Sequence, residues 1–272
     1  MNVEEPKELP ETISAALARA DELRVGGQLD AAIDQLETEL ARADKAGLLQ
    51  FKGRISLAMT LADLCVATGN NQKAQQILFN EATTAKLTFA EIKATGTEDE
   101  KRMAFRGLVQ MRDFHTQIGL VGQPAPDFAV KQWVIGPATT LSDLKGQVAV
   151  LEFWATWCKP CEQAFPKLNE LHREHRDRGL SIVALTRFFM AYGAPEQVQQ
   201  EELELIGSFV KNLDVEFRVG VSESEETQTR FGATGLPLMV LVDRQGLVRR
   251  VAVSTEDERF QSSLAECLVE RP

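Results

Sequence analysis

In the stretch EFWATWCKPC, residues 152–161, Cys158 and Cys161 bracket Lys159 and Pro160, and Glu152 stands six positions before the first cysteine. Such a thiol pair supports three chemistries: reversible dithiol–disulfide exchange, a metal clip, or two structural thiols. The flanking text bears on the choice. QVAVLEFW (147–154) reads as a buried strand and PCEQAFPKLNELHREH (160–175) as a helix. Cys158 then falls at a helix N-terminus, where unpaired N–H groups and the helix dipole stabilise negative charge. Its thiol pKa is expected to be lowered, which makes it the attacking nucleophile. Lys159 adds positive charge in the same direction, and Pro160 suits a first turn, where a missing N–H costs nothing. Cys161, one turn on, is placed to resolve a mixed disulfide.

Zinc is the rival reading, because Cys158, Cys161, His172 and His175 form C-x2-C-x10-H-x2-H. On one continuous helix Cys161 and His172 would stand about 16 Å apart along the axis. Zinc–ligand bonds of about 2.0–2.3 Å do not span that distance. No metal is expected, and both histidines are expected on an exposed helix face. His115 has no visible partner and is read as structural. Cys65 and Cys267 sit alone in apolar periodic segments and read as small buried hydrophobes. Four cysteines in 272 residues is too few for a disulfide framework.

The elements that must position the thiol pair occupy only the second part of the chain. Residues 12–118 read as helix throughout, with Ala and Leu at three- and four-residue spacing and breaks at Gly26-Gly27, Gly47, Gly69-Asn70-Asn71 and Gly96. A repeat emerges when Gly27 is aligned with Gly69, a spacing of 42: Ala20 meets Ala62, Ala32 meets Ala74, and Leu36 meets Leu78. The pattern resembles tetratricopeptide repeats, with plain helical hairpins as the alternative. Residues 97–118 are expected to supply a capping helix, unless the repeats pack on the other domain. LVGQPAPDF (120–128) marks the boundary, giving an all-α domain 1–118 and an α/β domain 119–272. Further elements follow: strand 180–186, helix 195–212, a short strand 215–221, a hairpin of 236–243 and 247–253 turning at 244–246, and a closing helix 256–269.

A net charge of -10 argues against nonspecific binding to nucleic acid or anionic membrane. No run of about 18 apolar residues suggests a membrane span. MNVEEPKELPETIS (1–14) lacks the basic and apolar regions of a signal peptide, so a cytoplasmic location is expected as the chain is written. Trimming of the N-terminus would leave an extracytoplasmic location open.

FWATWCKPC with the following Phe165-Pro166 resembles the thioredoxin-like proteins of the TlpA/ResA type, within the AhpC/TSA-redoxin group. GQPAPDF (122–128), LSDLKGQVAVLEFWATWC (141–158) and TGLPLMVLVD (234–243) carry the same resemblance, which covers about residues 121–270. It implies a thioredoxin fold after the helical domain, and thiol–disulfide oxidoreductase chemistry without a cofactor. Protein thiols or disulfides would be the substrates, with an upstream reductant. Pro237 would be the cis-proline, leaving the backbone of Leu236 free to pair with an extended substrate; without the resemblance, Pro237 merely starts a strand. Trp157, Lys159 and Pro160 would line the substrate surface, Trp154 would pack beneath it, and Phe165-Pro166 would set helix packing.

Glu152 corresponds by this resemblance to thioredoxin's buried acid, which moves the proton of the resolving cysteine. Strand alternation supports an inward setting, and a buried carboxylate without a cation has a raised pKa suited to proton shuttling. The alternative is that Glu152 reaches solvent at a sheet edge or pairs with an arginine or lysine. RFFMAYGAPEQVQQEELELIGSFVKN (187–212) fits the helix that TlpA-like proteins insert; Phe188, Phe189, Met190 and Tyr192 read either as a hydrophobic wall for a partner or as core.

The expected function is disulfide reduction through Cys158 and Cys161, with the helical domain docking partners or forming a homodimer. A thiol peroxidase is the second enzymatic reading, although Ala155 stands where peroxiredoxins carry threonine. A redox-sensing adaptor is the non-enzymatic one.

Overall fold

The computed structural model describes residues 9–44, 48–222 and 224–270. Gly47 and residues 1–8, which entered the helix-break and signal-peptide readings above, lie outside them. The chain divides into two compact units, Met1–Gly119 and Leu120–Pro272.

The first unit is helical: α1 (Glu11–Val25), α2 (Leu29–Arg42), α3 (Leu48–Ala67), α4 (Asn71–Thr95) and α5 (Glu98–Leu120). The 42-residue periodicity has a physical counterpart in how two helices end. After α1, the amide of Gln28 donates to Leu23 O and that of Gly27 to Arg24 O; after α3, Asn70 donates to Cys65 O and Gly69 to Val66 O. Both are the same left-handed glycine closure, with φ of 74° at Gly27 and 78° at Gly69. The aligned pairs Ala20/Ala62, Ala32/Ala74 and Leu36/Leu78 are all buried. Ala104, Met111 and Ile118 of α5 join the same core.

An ion pair is built into this core. Arg54 donates to both carboxylate oxygens of Glu81, at 3.1 and 2.7 Å, and caps the end of α2 through Leu40 O and Ala43 O at 2.9 and 2.7 Å. The side chains are only 8% and 11% exposed. Removing one partner strands the other charge, so Arg54→Met is expected to destabilise the helical unit by about 3–5 kcal/mol. Arg54→Met with Glu81→Leu is expected to recover most of that loss. Chemical denaturation followed by far-UV circular dichroism checks both; equal losses in the single and double variants would exclude a stranded charge as the cause.

The second unit is a six-stranded sheet of order β1-β4-β3-β2-β5-β6. In chain order its elements are β1 (Val130–Ile135), β2 (Val148–Phe153), α6 (Lys159–His175), β3 (Leu180–Arg187), α7 (Glu196–Asn212), β4 (Arg218–Ser222), α8 (Glu226–Phe231), β5 (Leu238–Val242), β6 (Val248–Ala252) and α9 (Glu258–Val269). β2, β3 and β4 run parallel, while β1, β5 and β6 join antiparallel. This is a thioredoxin fold. One sheet face packs against α6, α7 and α9 through Phe165, Leu168, Ile206, Val210, Phe260 and Leu264. The other is covered by Phe231 of α8 and by the entrance segment at Ala125 and Phe128.

Three departures from the sequence expectations have local causes. β1 was not expected, because VKQWVI is a half-exposed edge strand without clean alternation. The strand expected at 215–221 occupies Arg218–Ser222, since the chain is still leaving α7 through Asp214 at φ 47°. α8, at six residues, is too short to show periodicity.

Candidate active site

Cys158 is the N-cap residue of α6: its backbone is extended, and its sulfur accepts the amide of Cys161 at 3.3 Å. The two sulfurs form a disulfide, with Cα atoms 5.3 Å apart. Cys158 retains 4% exposure and Cys161 none, so the first cysteine is the outer one. Pro160 lies in the first turn of α6. The preceding loop is anchored by Trp154, which meets Phe165 edge-on at 5.0 Å and stacks on Phe209 at 5.4 Å. Trp157, immediately before Cys158, is 63% exposed.

Lys159 differs from its sequence reading. Its ammonium pairs with Glu162 at 2.9 Å on the helix surface. Its pull on the Cys158 sulfur is therefore offset by a carboxylate, and the helix N-terminus is left as the main source of positive potential there.

Glu152 lies in β2, an interior strand flanked by β3 and β5, where it faces Ala184 and Met239 in register. Val150, Trp154, Ala184 and Met239 belong to the sheet face that carries α6, and alternation puts Glu152 on that face too. It is completely buried, and neither carboxylate oxygen meets a hydrogen-bond partner among the described residues. Burial alone raises its pKa well above the ordinary carboxylate value. The edge-strand and cation-paired settings considered for it do not occur.

Leu236-Pro237 is a cis peptide. β5 begins at Leu238, which pairs with Phe153 at the end of β2, so this bond stands at the same end of the sheet as the disulfide. Sequence reasoning thus named residues that the fold brings together: Glu152, Trp157, Cys158, Lys159, Pro160, Cys161, Leu236 and Pro237.

The remaining cysteines and the histidines of α6 have settings of their own. Cys65 and Cys267 are buried free thiols whose pKa values burial raises, that of Cys267 to about 11; both stay protonated at neutral pH. α6 runs unbroken from Lys159 to His175. His172 and His175 are not on an exposed face as expected: both are half-buried, and His172 meets Phe217 edge-on at 6.2 Å. Burial, assisted by Arg176, lowers the His172 pKa.

Two residues beside the site escaped the sequence reading. Arg187, at the end of β3, stacks its guanidinium on Phe189 at 4.2 Å, and Phe189 meets Trp157 edge-on at 5.3 Å. Glu202 of α7 is buried beneath the same loop. Its signal was available, because Glu202, Ile206 and Val210 share one buried helix stripe, and an acid on such a stripe requires a partner.

A disulfide at the N-terminus of a helix in a thioredoxin fold, with a buried acid on the same sheet face, defines a thiol–disulfide oxidoreductase. Comparison with the sequences of known proteins agrees. Residues 121–251 match the AhpC/TSA family. Thiol-disulfide oxidoreductase ResA of Bacillus thuringiensis subsp. konkukian (strain 97-27) is 32% identical over 149 residues, covering 54% of this chain and 76% of that protein. Thioredoxin-like protein YneN of Bacillus subtilis (strain 168) is 31% identical over 134 residues, covering 49% and 72%. A solved thiol-disulfide isomerase from Corynebacterium glutamicum has 23% identity and a TM-score of 0.46, covering 54% of this chain and 97% of that one. The chain belongs to the ResA-type thiol–disulfide oxidoreductases of the AhpC/TSA family. The family match lies within the second unit.

Proposed function

We propose that the protein reduces disulfides in protein substrates, with Cys158 attacking and Cys161 resolving. The observation that carries this reading is the Cys158 sulfur at the cap of α6, accepting the Cys161 amide. The same N–H and helix dipole stabilise a thiolate there. In the reduced enzyme the Cys158 thiolate attacks one sulfur of the substrate disulfide, and the other substrate sulfur leaves as a thiolate and takes a proton. Glu152, in its ionised form, accepts the Cys161 thiol proton, and the new thiolate attacks Cys158 Sγ. The substrate's second sulfur leaves and is protonated, and the enzyme disulfide is restored to the dithiol by an upstream dithiol donor. Trp157, Lys159 and Pro160 form the near surface of the substrate site, and the backbone at Leu236, beside Pro237, receives the extended chain.

We assign the helical unit a docking or dimerising role. Phe79 and Leu87 of α4 and Phe105 of α5 are exposed at 62%, 67% and 58%, which supports an apolar contact surface.

The test is reduction of insulin disulfides by the full chain with dithiothreitol as electron donor. Turnover well above the uncatalysed rate is expected, with Cys158–Cys161 cycling between dithiol and disulfide as followed by thiol alkylation. A pair that stays oxidised or reduced while insulin is consumed at the background rate overturns the proposal.

A further inference from the structure

Between β3 and α7 the chain crosses the active-site end of the second unit as a short loop, Phe188–Ala194, that forms no helix or strand. One carboxylate organises it. Glu202, 5% exposed, accepts the amide of Phe189 at 2.9 Å on Oε1 and that of Ala191 at 2.7 Å on Oε2. The Met190 amide between them reaches both oxygens, at 3.3 and 3.2 Å. Three consecutive N–H groups converging on one anion form a backbone nest, here filled by a side chain of the protein itself. One turn earlier, Gln199 donates to Ala194 O at 3.0 Å and accepts from Lys131 at 2.7 Å. Both ends of the loop are therefore tied to α7.

The consequence appears on the outer face. Phe188 and Ala191 turn inward and are buried, while Met190 and Tyr192 project outward at 68% and 57% exposure. Phe189 stands between them, held from one side by the Arg187 guanidinium at 4.2 Å and meeting the edge of Trp157 at 5.3 Å on another. Trp157 precedes the attacking cysteine, so the loop and the redox centre share one apolar surface. A core loop would bury these side chains; this one holds large apolar groups out in water, on a fixed backbone, beside the sulfur that reacts. Aromatic rings on a rigid frame bind apolar side chains with little loss of conformational freedom.

We propose that Glu202 is a positioning residue for substrate selection: by fixing Phe189–Ala191 it holds an apolar platform of Trp157, Phe189, Met190 and Tyr192 that favours disulfides in extended polypeptide segments with a large apolar side chain next to the cysteine. This rests on the reductase reading above, and it adds which polypeptide disulfides are chosen and what chooses them. Glu202 touches no reacting atom; it acts through the loop.

The test uses the full chain and two synthetic peptide disulfides that differ only in having Phe or Ser beside the cysteine, with hydroxyethyl disulfide as a small aliphatic disulfide that has no large apolar group to seat on the platform. Wild type is expected to show a KM about tenfold lower for the Phe peptide at similar kcat, the pattern of a binding contact equal in ground and transition states. Glu202→Gln keeps the size but turns an amide NH2 toward N–H donors. Its KM for the Phe peptide is expected to rise about tenfold, to that of the Ser peptide, with kcat and the midpoint potential of the Cys158–Cys161 pair unmoved. Phe189→Ala is expected to produce the same loss, and the double variant no more than either alone, because the two act in series. Should Glu202→Gln fail to fold, Phe189→Ala decides by itself. Equal KM values for the two peptides in wild type overturn the proposal. So does an unchanged Phe-peptide KM in the variants, or a parallel fall in hydroxyethyl disulfide reduction, which would mean that Glu202 supports the redox centre in general. If wild type reduces neither peptide nor hydroxyethyl disulfide, the reductase reading itself has failed, and that result is distinct from loss of selectivity.

Discussion

Cys158→Ser is expected to lower disulfide-reductase turnover by at least about a thousandfold, since a hydroxyl at that position supplies no anion at neutral pH to attack sulfur. Cys161→Ser is expected to fail differently. Its Cys158 still attacks, but nothing resolves the product, and covalent enzyme–substrate mixed disulfides accumulate. The asymmetry follows from exposure, because Cys158 reaches the surface and Cys161 is fully buried behind it. Incubating each reduced variant with a disulfide substrate and resolving the products on non-reducing gels separates the two. The assignment would be reversed if Cys158→Ser were the variant that captured substrate.

Glu152→Gln is expected to slow the second half of the reaction and spare the first. Loss of a positioned proton acceptor costs about a hundredfold where proton transfer limits the step, so the mixed disulfide should decay slowly while its formation continues. The same residue is expected to shape stability. Burial raises the folded-state pKa of Glu152 above the unfolded value. Between those two values the folded protein holds the proton more tightly, so stability falls as pH rises. Below the ordinary carboxylate range the folded state bears no such penalty; above it, stability drops by about 1.4 kcal/mol per pH unit until the folded pKa is passed. Glu152→Gln removes this slope and is expected to make the second unit more stable than wild type at neutral pH. Trp133, Trp154 and Trp157 are the three tryptophans, and all lie in that unit, so denaturation followed by tryptophan fluorescence reports on it selectively. Identical pH slopes in wild type and variant, together with identical mixed-disulfide decay, would remove Glu152 from the mechanism.

What was legible in the sequence follows from how local each signal is. The CxxC pair, its strand and its helix are written in one continuous run, and the hydrophobic β2 run with an amphipathic α6 left little choice of arrangement. The 42-residue helical periodicity was readable because the same glycine closure must recur wherever the same hairpin is built. β1 was not readable, since an edge strand buries only part of one face and carries mixed residues such as Lys131 and Gln132. The half-burial of His172 depends on Phe217, 45 positions later in the chain, and no local pattern announces it. The same holds for the Lys159–Glu162 pair, where the charge was visible but its neutralisation depended on which rotamers meet. Glu202 is the most instructive omission. It reads as one acid among several in QVQQEELELIG, and only the loop folded over it shows that its partners are backbone amides.

Cys158 caps α6 as well as carrying the reacting sulfur, so reduction changes the group that accepts the Cys161 amide in the first turn of that helix. A thiolate is a stronger acceptor for the Cys161 amide than a disulfide sulfur. Reduction therefore tightens the helix start, and oxidation slackens it. Part of the free energy that sets the balance between dithiol and disulfide is thus helix-capping energy, held in a single N–H to sulfur contact. Secondary structure and electron transfer meet in one atom, and a change to the first turn of α6 that never touches sulfur still retunes how strongly this protein gives up electrons.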